Sequence, residues 1–160
     1  MPEIIDTKKE LSDLLQLVSF KIDEEEFGVD ILKVQEIIKI ISITKVPNSP
    51  YFVEGIINLR GKVIPIIDLR KRLGLERIAH TNDTRIIVVE LENKIVGFIV
   101  DAVYEVLRIS RSITEVPPEL VTGINSEYIT AVGKLDDRIL ILLDLEKILS
   151  INEKKQLESN

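Results

Sequence analysis

Short runs of alternating apolar and polar residues fill most of this chain, and they occur twice in the same order. Residues 17–39 align without a gap with residues 86–108. Within this first block Gly28 aligns with Gly97, Val34 with Val103 and Glu36 with Glu105. A second block, 43–47, matches 113–117. A third block, 64–69, matches 140–145.

Three blocks in the same order, shifted by about 70 residues, indicate two copies of one folding unit. The chain of 160 residues is predicted to be a single domain, 1–160, with subdomain one at about 15–75 and subdomain two at about 85–150. A unit that small buries only about 60% of its unfolded surface and is marginal alone. We therefore expect the copies to pack together, with a binding groove between them.

Period-two alternation between turn residues predicts about five short strands in each copy. The predicted strands are 15–22, 27–31, 34–40, 56–59 and 62–67, then 85–91, 94–100, 103–109 and a hairpin at 128–143. Short helices are expected at 68–73, between Asp68 as cap and Gly74 as stop, and at 144–149; one helical turn is expected at 51–55. Five tightly connected strands suit a small closed barrel, so we expect two five-stranded barrels side by side.

Composition supports a mostly β protein and limits the classes of partner that it could bind. The chain has 27 Ile and 15 Val against 3 Ala, and β-branched residues favour strands. The net charge of −6 and an aromatic content of 4% disfavour nucleic acid and anionic membranes as partners. A barrel that binds single-stranded nucleic acid therefore stays a weaker alternative. No run resembles a signal peptide or a membrane span, which makes a cytoplasmic location the default.

The residues that carry enzyme chemistry are scarce. The chain has no cysteine, and its single histidine, His80, lies in the polar linker 76–84. Asp136 and Asp137, and the run 24–26, are interpreted as solvated turns rather than as cation sites. We find no glycine-rich phosphate loop. The sequence thus predicts no catalytic residue, metal or cofactor.

The two copies differ where the last hairpin turns. Copy one has Asn58-Leu59-Arg60-Gly61, and copy two has Lys134-Leu135-Asp136-Asp137. An arginine held on a rigid turn can present a forked donor to a partner, although a solvated tip arginine is the simpler interpretation. Val34 and Glu36 would share one face of a strand, either to contact a partner or to protect a sheet edge.

The residues 34–38 (VQEII), 43–47 (ITKVP) and 53–70 (VEGIINLRGKVIPIIDLR) strongly resemble the CheW family of bacterial chemotaxis coupling proteins. The resemblance runs from about residue 15 to residue 150. It implies a fold of two SH3-like five-stranded barrels and a non-enzymatic adaptor. Such an adaptor couples chemoreceptors to the histidine kinase CheA and is recruited from the cytoplasm to membrane-associated receptor arrays.

The resemblance also implies two binding surfaces. The receptor-binding residues carried over are Val34, Glu36, Gly55, Asn58, Arg60, Gly61, Ile86, Gly97 and Val106. Val18 and Ile31 are carried over for binding the regulatory domain of the kinase. Gly55 and Gly97 could serve backbone shape alone. Residues 118–128 match the family pattern poorly and receive no function.

The same module occurs at the end of the kinase and beside a receiver domain in a related coupling protein. The sequence has neither companion domain, which favours a stand-alone adaptor.

Overall fold

The computed structural model describes residues 13–117 and 128–149. The strands are β1 (Leu14–Ile22), β2 (Glu25–Asp30), β3 (Val34–Lys39), β4 (Val53–Leu59), β5 (Lys62–Asp68), β6 (Arg85–Leu91), β7 (Lys94–Val100), β8 (Ala102–Ser110), β9 (Thr114–Glu115), β10 (Ile129–Lys134) and β11 (Ile139–Leu143). The helices are α1 (Leu69–Arg72) and α2 (Leu145–Ile148), with 3₁₀ turns at Ile31–Lys33 and Arg111–Ile113.

The strands form two sheets, which confirms the predicted mostly β class. The six-stranded sheet has the order β8-β1-β2-β11-β10-β9, and the five-stranded sheet has the order β3-β6-β7-β5-β4. Most neighbours are antiparallel, but β2 pairs with β11 and β5 with β7 in parallel.

Each sheet takes strands from both copies of the repeat. β1 and β2 of the first copy lie in the six-stranded sheet, whereas β6 and β7 of the second copy lie in the five-stranded sheet. The sequence repeat shows which segments are alike but did not indicate that each sheet combines strands of both copies. The exchange gives each small copy a partner surface to bury, which suits units that would be marginal alone. The boundaries at 15–75 and 85–150 follow the sequence repeat and remain a prediction.

Most element positions agree with the alternation pattern. Asp68 Oδ1 accepts a hydrogen bond from Arg70 N at 3.0 Å and caps α1, and Gly74 follows the helix with a φ of 83°. The helical turn expected at 51–55 is wrong, because β4 already begins at Val53. The expected insertion at 118–128 lies almost entirely outside the described residues.

One apolar core spans both sheets. Phe20 and Phe27 of the six-stranded sheet stack with ring centroids 5.9 Å apart. They belong to the same buried cluster as Ile67, Ile87 and Phe98 of the five-stranded sheet. Burying one such side chain stabilises the fold by about 1.5–3 kcal/mol. The two sheets are therefore joined by shared packing rather than by a wet interface.

Arg72 of α1 lies between two aromatic side chains, one from each copy of the repeat. Its guanidinium lies over the rings of Phe52 and Tyr128, at 4.8 and 5.2 Å from their centroids. Its Nε donates to the backbone oxygen of Ile148 in α2 at 2.6 Å. The two short helices are thereby fixed against each other.

Arg70 of α1 makes a second connection and is nearly buried. Its Nη1 donates to Asp101 Oδ2 at 2.7 Å, between β7 and β8, and its Nη2 donates to Asp23 Oδ1 at 3.3 Å, in the β1–β2 turn. Asp23 N also donates to Asp101 Oδ2, at 2.7 Å. One guanidinium thus ties the five-stranded sheet to a turn of the six-stranded sheet.

Candidate partner-binding surface

Asn58, Arg60 and Gly61 meet at the tip of the β4–β5 hairpin. Arg60 and Gly61 have φ angles of 52° and 85°, the left-handed conformation that a two-residue turn requires to match the twist of its strands. Asn58 Oδ1 accepts a hydrogen bond from Gly61 N at 2.9 Å and fixes the turn. The turn leaves the Arg60 side chain 70% exposed. The predicted rigid, exposed tip is present.

Val34 and Glu36 lie on β3, an edge strand of the five-stranded sheet. Val34 pairs with Val89 and Glu36 with Val88, so Gln35 is an extra residue that forms a bulge. Bulges strengthen the local twist and redirect side chains. Val34 and Glu36 are both half-buried.

The structure brings Glu36 and Arg60 together. Arg60 Nη2 donates to Glu36 Oε1 and Oε2 at 2.7 and 2.6 Å. β3 and β4 are the two outer strands of their sheet, so the ion pair bridges its edges. A backbone bridge beside it joins Thr44 and Ile56, with N–H···O distances of 2.9 and 2.8 Å. Arg60 is thus held in place while most of its surface stays open to a partner.

Gly55 and Gly97 are buried and shape the five-stranded sheet. A Cβ atom on Gly55 would lie 2.2 Å from the backbone oxygen of Thr44, and its φ of 149° is rare for other residues. A Cβ atom on Gly97 would lie 2.6 Å from Ile66 and 2.8 Å from Ile86. These contacts favour the backbone-shape interpretation for both glycines. Their place on a receptor surface remains a prediction.

The remaining residues of the two predicted surfaces are distributed over both sheets. Ile86 of β6 is fully buried, whereas Val106 of β8 is exposed in the six-stranded sheet. Val18, predicted to face the kinase, is buried and pairs directly with Val106. Ile31 is half-buried at a 3₁₀ turn. Ile86 and Val18 are too deeply buried to touch a partner directly, and their binding roles remain predictions.

Sequence reasoning missed the equivalent of the Glu36–Arg60 pair in copy two. There, Arg138 Nη2 lies 3.4 Å from Oε1 of Glu105, the repeat partner of Glu36. Arg138 also bonds Glu26 and Asp137, at 2.7 and 2.9 Å. It lies one residue beyond the tip that aligns with residues 58–61. Arg60 itself aligns with Asp136, so a search for a basic residue two positions further along the hairpin could have found Arg138.

Two buried acids, Glu54 and Asp68, lie at the end of the β4–β5 hairpin opposite the tip. Burial acts to raise the pKa of the Glu54 carboxyl, but Lys71, whose Nζ lies 2.9 Å from Oε1, outweighs it and holds that pKa below its usual value. Burial, and secondly the negative charge of Glu54, raise the pKa of the Asp68 carboxyl. Asp68 also caps α1, so these acids have structural roles.

The described residues show little that could support catalysis. Among them, no group of three or more His, Asp or Glu side chains is placed to hold a metal ion. His80 is exposed in the loop between α1 and β6. In the same part of the chain, no helix is long and apolar enough to cross a membrane.

Comparison with known proteins places the chain among chemotaxis proteins. The family model described as "CheW-like domain" matches residues 16–153. Chemotaxis protein CheW of Klebsiella aerogenes is 39% identical over 138 residues, covering 86% of this chain and 83% of that protein. Chemotaxis protein CheW of Treponema pallidum is 38% identical over 146 residues, covering 89% and 86%.

A solved structure agrees with the sequence matches. The crystal structure of the scaffolding protein TtCheW from Thermoanaerobacter tengcongensis superposes with a TM-score of 0.79 at 44% identity, covering 87% of this chain and 90% of that one. Family model, relatives and fold therefore agree, and the chain belongs to the CheW-like domain family.

Proposed function

We propose that this chain is a non-enzymatic scaffold of bacterial chemotaxis that couples chemoreceptors to the histidine kinase CheA. The observation that carries the proposal is the Arg60 tip: an exposed guanidinium on a rigid turn, oriented by Glu36. Family membership and the names of the relatives support the chemotaxis role. The solved relative is itself described as a scaffolding protein.

The receptor would bind on the surface around the β4–β5 tip. Receptor cytoplasmic tips are helical hairpins, and an amphipathic helix binds through spaced apolar contacts. Val34 and the exposed Val106 would supply apolar contacts on the two sheets. Arg60 retains Nε and Nη1 for a receptor carboxylate or carbonyl, since its bonds to described residues use Nη2 alone. Charge-assisted bonds of this kind fix orientation as well as affinity.

The kinase would bind a second surface, at the 3₁₀ turn Ile31–Lys33. Ile31 is half-buried there, and its neighbour Leu32 is 88% exposed. An apolar side chain that exposed suits a contact with a protein partner. Val18 lies in the core and would support this corner from below. The scaffold would work in the cytoplasm and join receptor arrays at the membrane by binding.

Signalling through such a scaffold requires no chemistry of its own. Receptor and kinase each bind a different surface, and the shared core and the Arg70 network connect the sheets that carry them. A receptor state that binds one arrangement of the sheets better would shift the population toward it. The kinase would then respond to that shift.

Co-sedimentation tests the proposal. The full chain is mixed with a membrane-anchored receptor cytoplasmic fragment, with the kinase, and with both. The proposal predicts that the chain sediments with the receptor and carries additional kinase into the pellet. A chain that stays in the supernatant in every mixture contradicts the coupling function while leaving the family assignment intact.

A further inference from the structure

The six-stranded sheet has an open groove at the tip of its β10–β11 hairpin. The groove has a volume of about 700 Å³ and lies between the β1–β2 turn, the strand β8 and the hairpin. Tyr104 and Ile139, which line it, are 54% and 60% exposed, and Leu135 lies beside them. Large apolar side chains gathered in an exposed concave site are typical of a protein-binding surface.

The repeat provides a matched surface for comparison. Ile139 immediately precedes the block 140–145, and Val63 immediately precedes its counterpart, 64–69, in the five-stranded sheet. Val63 is also exposed, at 65%. Both hairpins thus present a β-branched side chain to solvent at the same place, although burial would stabilise the fold. The exposed position is thus shared by the two hairpins, and Val63 provides a matched control for Ile139.

The charge around the two hairpins differs. At the five-stranded sheet the hairpin carries Arg60 and Lys62. At the groove, the positive charge of Arg138 is already surrounded by Glu26, Asp137 and Glu105. Lys134 also lines the groove, but its Nζ is paired with Glu115.

Glu24 and Glu25 are exposed on the rim of the groove, and neither forms an ion pair with another described residue. The groove therefore combines apolar side chains with uncompensated negative charge.

We propose that this groove binds a basic amphipathic segment of another protein. Its apolar residues would pack on Tyr104, Leu135 and Ile139, and its Lys or Arg side chains would meet Glu24 and Glu25. Complementary charge at a rim speeds association and selects partners. Arg60 does not line the groove, so the inference does not depend on the Arg60 tip, although Tyr104 lies two residues from Val106 on β8.

Fluorescence anisotropy with the full chain tests the groove. The probe is a labelled amphipathic peptide of Lys and Leu, and its control has Glu in place of Lys. We expect the Lys peptide to bind, with affinity falling as salt rises because the charges are solvent-exposed. The double variant Glu24→Gln/Glu25→Gln and the variant Ile139→Ser should each weaken binding about tenfold, a loss of about 1.4 kcal/mol. The matched variant Val63→Ser should bind like the unmodified chain.

Three results of the peptide assay would overturn the proposal. They are equal binding of the Glu peptide, undiminished binding by the groove variants, and equal weakening by Val63→Ser. Sedimentation of the chain without peptide tests whether the chain associates with itself. Self-association that Ile139→Ser abolishes would make a second copy of this chain the occupant, and would also overturn it. All these positions are exposed, so the variants should keep the unfolding midpoint of the unmodified chain.

Discussion

Arg60 and Glu36 stand at opposite edges of one sheet and are joined through a single nitrogen, Nη2, which donates to both carboxylate oxygens. Glu105 and Arg138 form the weaker counterpart in the other sheet, at 3.4 Å. Both sheets thus place a glutamate on an edge strand against an arginine from the last hairpin. In the Glu36–Arg60 pair most of the Arg60 side chain remains exposed to solvent. Arg60 is thus held in one orientation and is still accessible to a partner.

Glu36→Gln should leave folding almost unchanged and weaken receptor binding. The ion pair is exposed, and such pairs contribute about 0.2–1 kcal/mol to stability. Without the carboxylate, the Arg60 side chain is no longer held in one orientation. Receptor binding then includes the entropic cost of ordering that side chain. Urea unfolding and titration with a receptor fragment measure the two effects. A double-mutant cycle with Arg60→Ala should give a binding cost smaller than the sum of the single costs. Additive costs would mean that Glu36 does not act through Arg60.

Gly55→Ala should destabilise the protein far more than Gly61→Ala. The new methyl group on residue 55 would meet the backbone oxygen of Thr44 at 2.2 Å, and the backbone cannot yield as a side chain could. We expect a loss of about 3 kcal/mol or more, at the top of the range for overpacking. A Cβ atom on Gly61 would meet no other atom within 4 Å. Only the positive φ of residue 61 therefore makes alanine unfavourable there, at a cost in stability of about 1–2 kcal/mol. Similar denaturation midpoints for the two variants would contradict this account.

Arg70→Met should destabilise the fold by about 3 kcal/mol, because it leaves Asp101 partly buried without its cation. Arg77→Met is the matched control, since Arg77 is half-exposed and lies 3.5 Å from Glu54. The control should change the free energy of unfolding by less than about 0.5 kcal/mol. Guanidinium unfolding of both variants checks the contrast. Equal losses would show that the Arg70 network does not hold the sheets together.

Asp68→Asn should alter how stability depends on pH. Because the pKa of the folded Asp68 carboxyl lies above 3.8, the folded protein binds this proton more tightly than the unfolded chain. Wild-type stability therefore gains from Asp68 as pH falls through that raised pKa toward 3.8, and Asn lacks this gain. Glu54 has the opposite effect but is present in both proteins.

Urea midpoints measured at several pH values test the Asp68 prediction. The midpoint of the wild type minus that of Asp68→Asn should rise as pH falls. Asn can still cap α1, whereas Asp68→Ala should lose a further 1 kcal/mol or so with the cap. A difference that does not change with pH would contradict the raised pKa.

Alternation and turn chemistry were enough to predict most strands and both ends of α1. Asp68, Gly74 and the Arg60-Gly61 turn act locally, and local preferences are readable in one sequence. The exchange of β1 and β2 for β6 and β7 was not predictable in this way. The repeat reports which segments are alike, but either copy's strands can complete either sheet.

The candidate surface was predicted residue by residue, but not its internal contacts. Glu36 and Arg60 are 24 residues apart in sequence. Their pairing depends on how the two edge strands of the sheet, β3 and β4, come together. Arg138 was missed because it aligns with Lys62 and not with Arg60, whose counterpart is Asp136. Burial of Val18 and Ile86 depends on which sheet face the other copy covers, and period-two alternation does not specify that.

The most direct test of the central claim is receptor binding by Arg60→Ala, measured beside Lys62→Ala. Lys62 has the same charge and lies two residues away, at the start of β5. We expect Arg60→Ala to weaken receptor binding by about 1–3 kcal/mol, the range for a charge-assisted hydrogen bond, with kinase binding and the unfolding midpoint unchanged. Lys62→Ala should bind the receptor normally. Equal receptor affinities for Arg60→Ala and the unmodified chain would contradict the proposal that this tip is the receptor site.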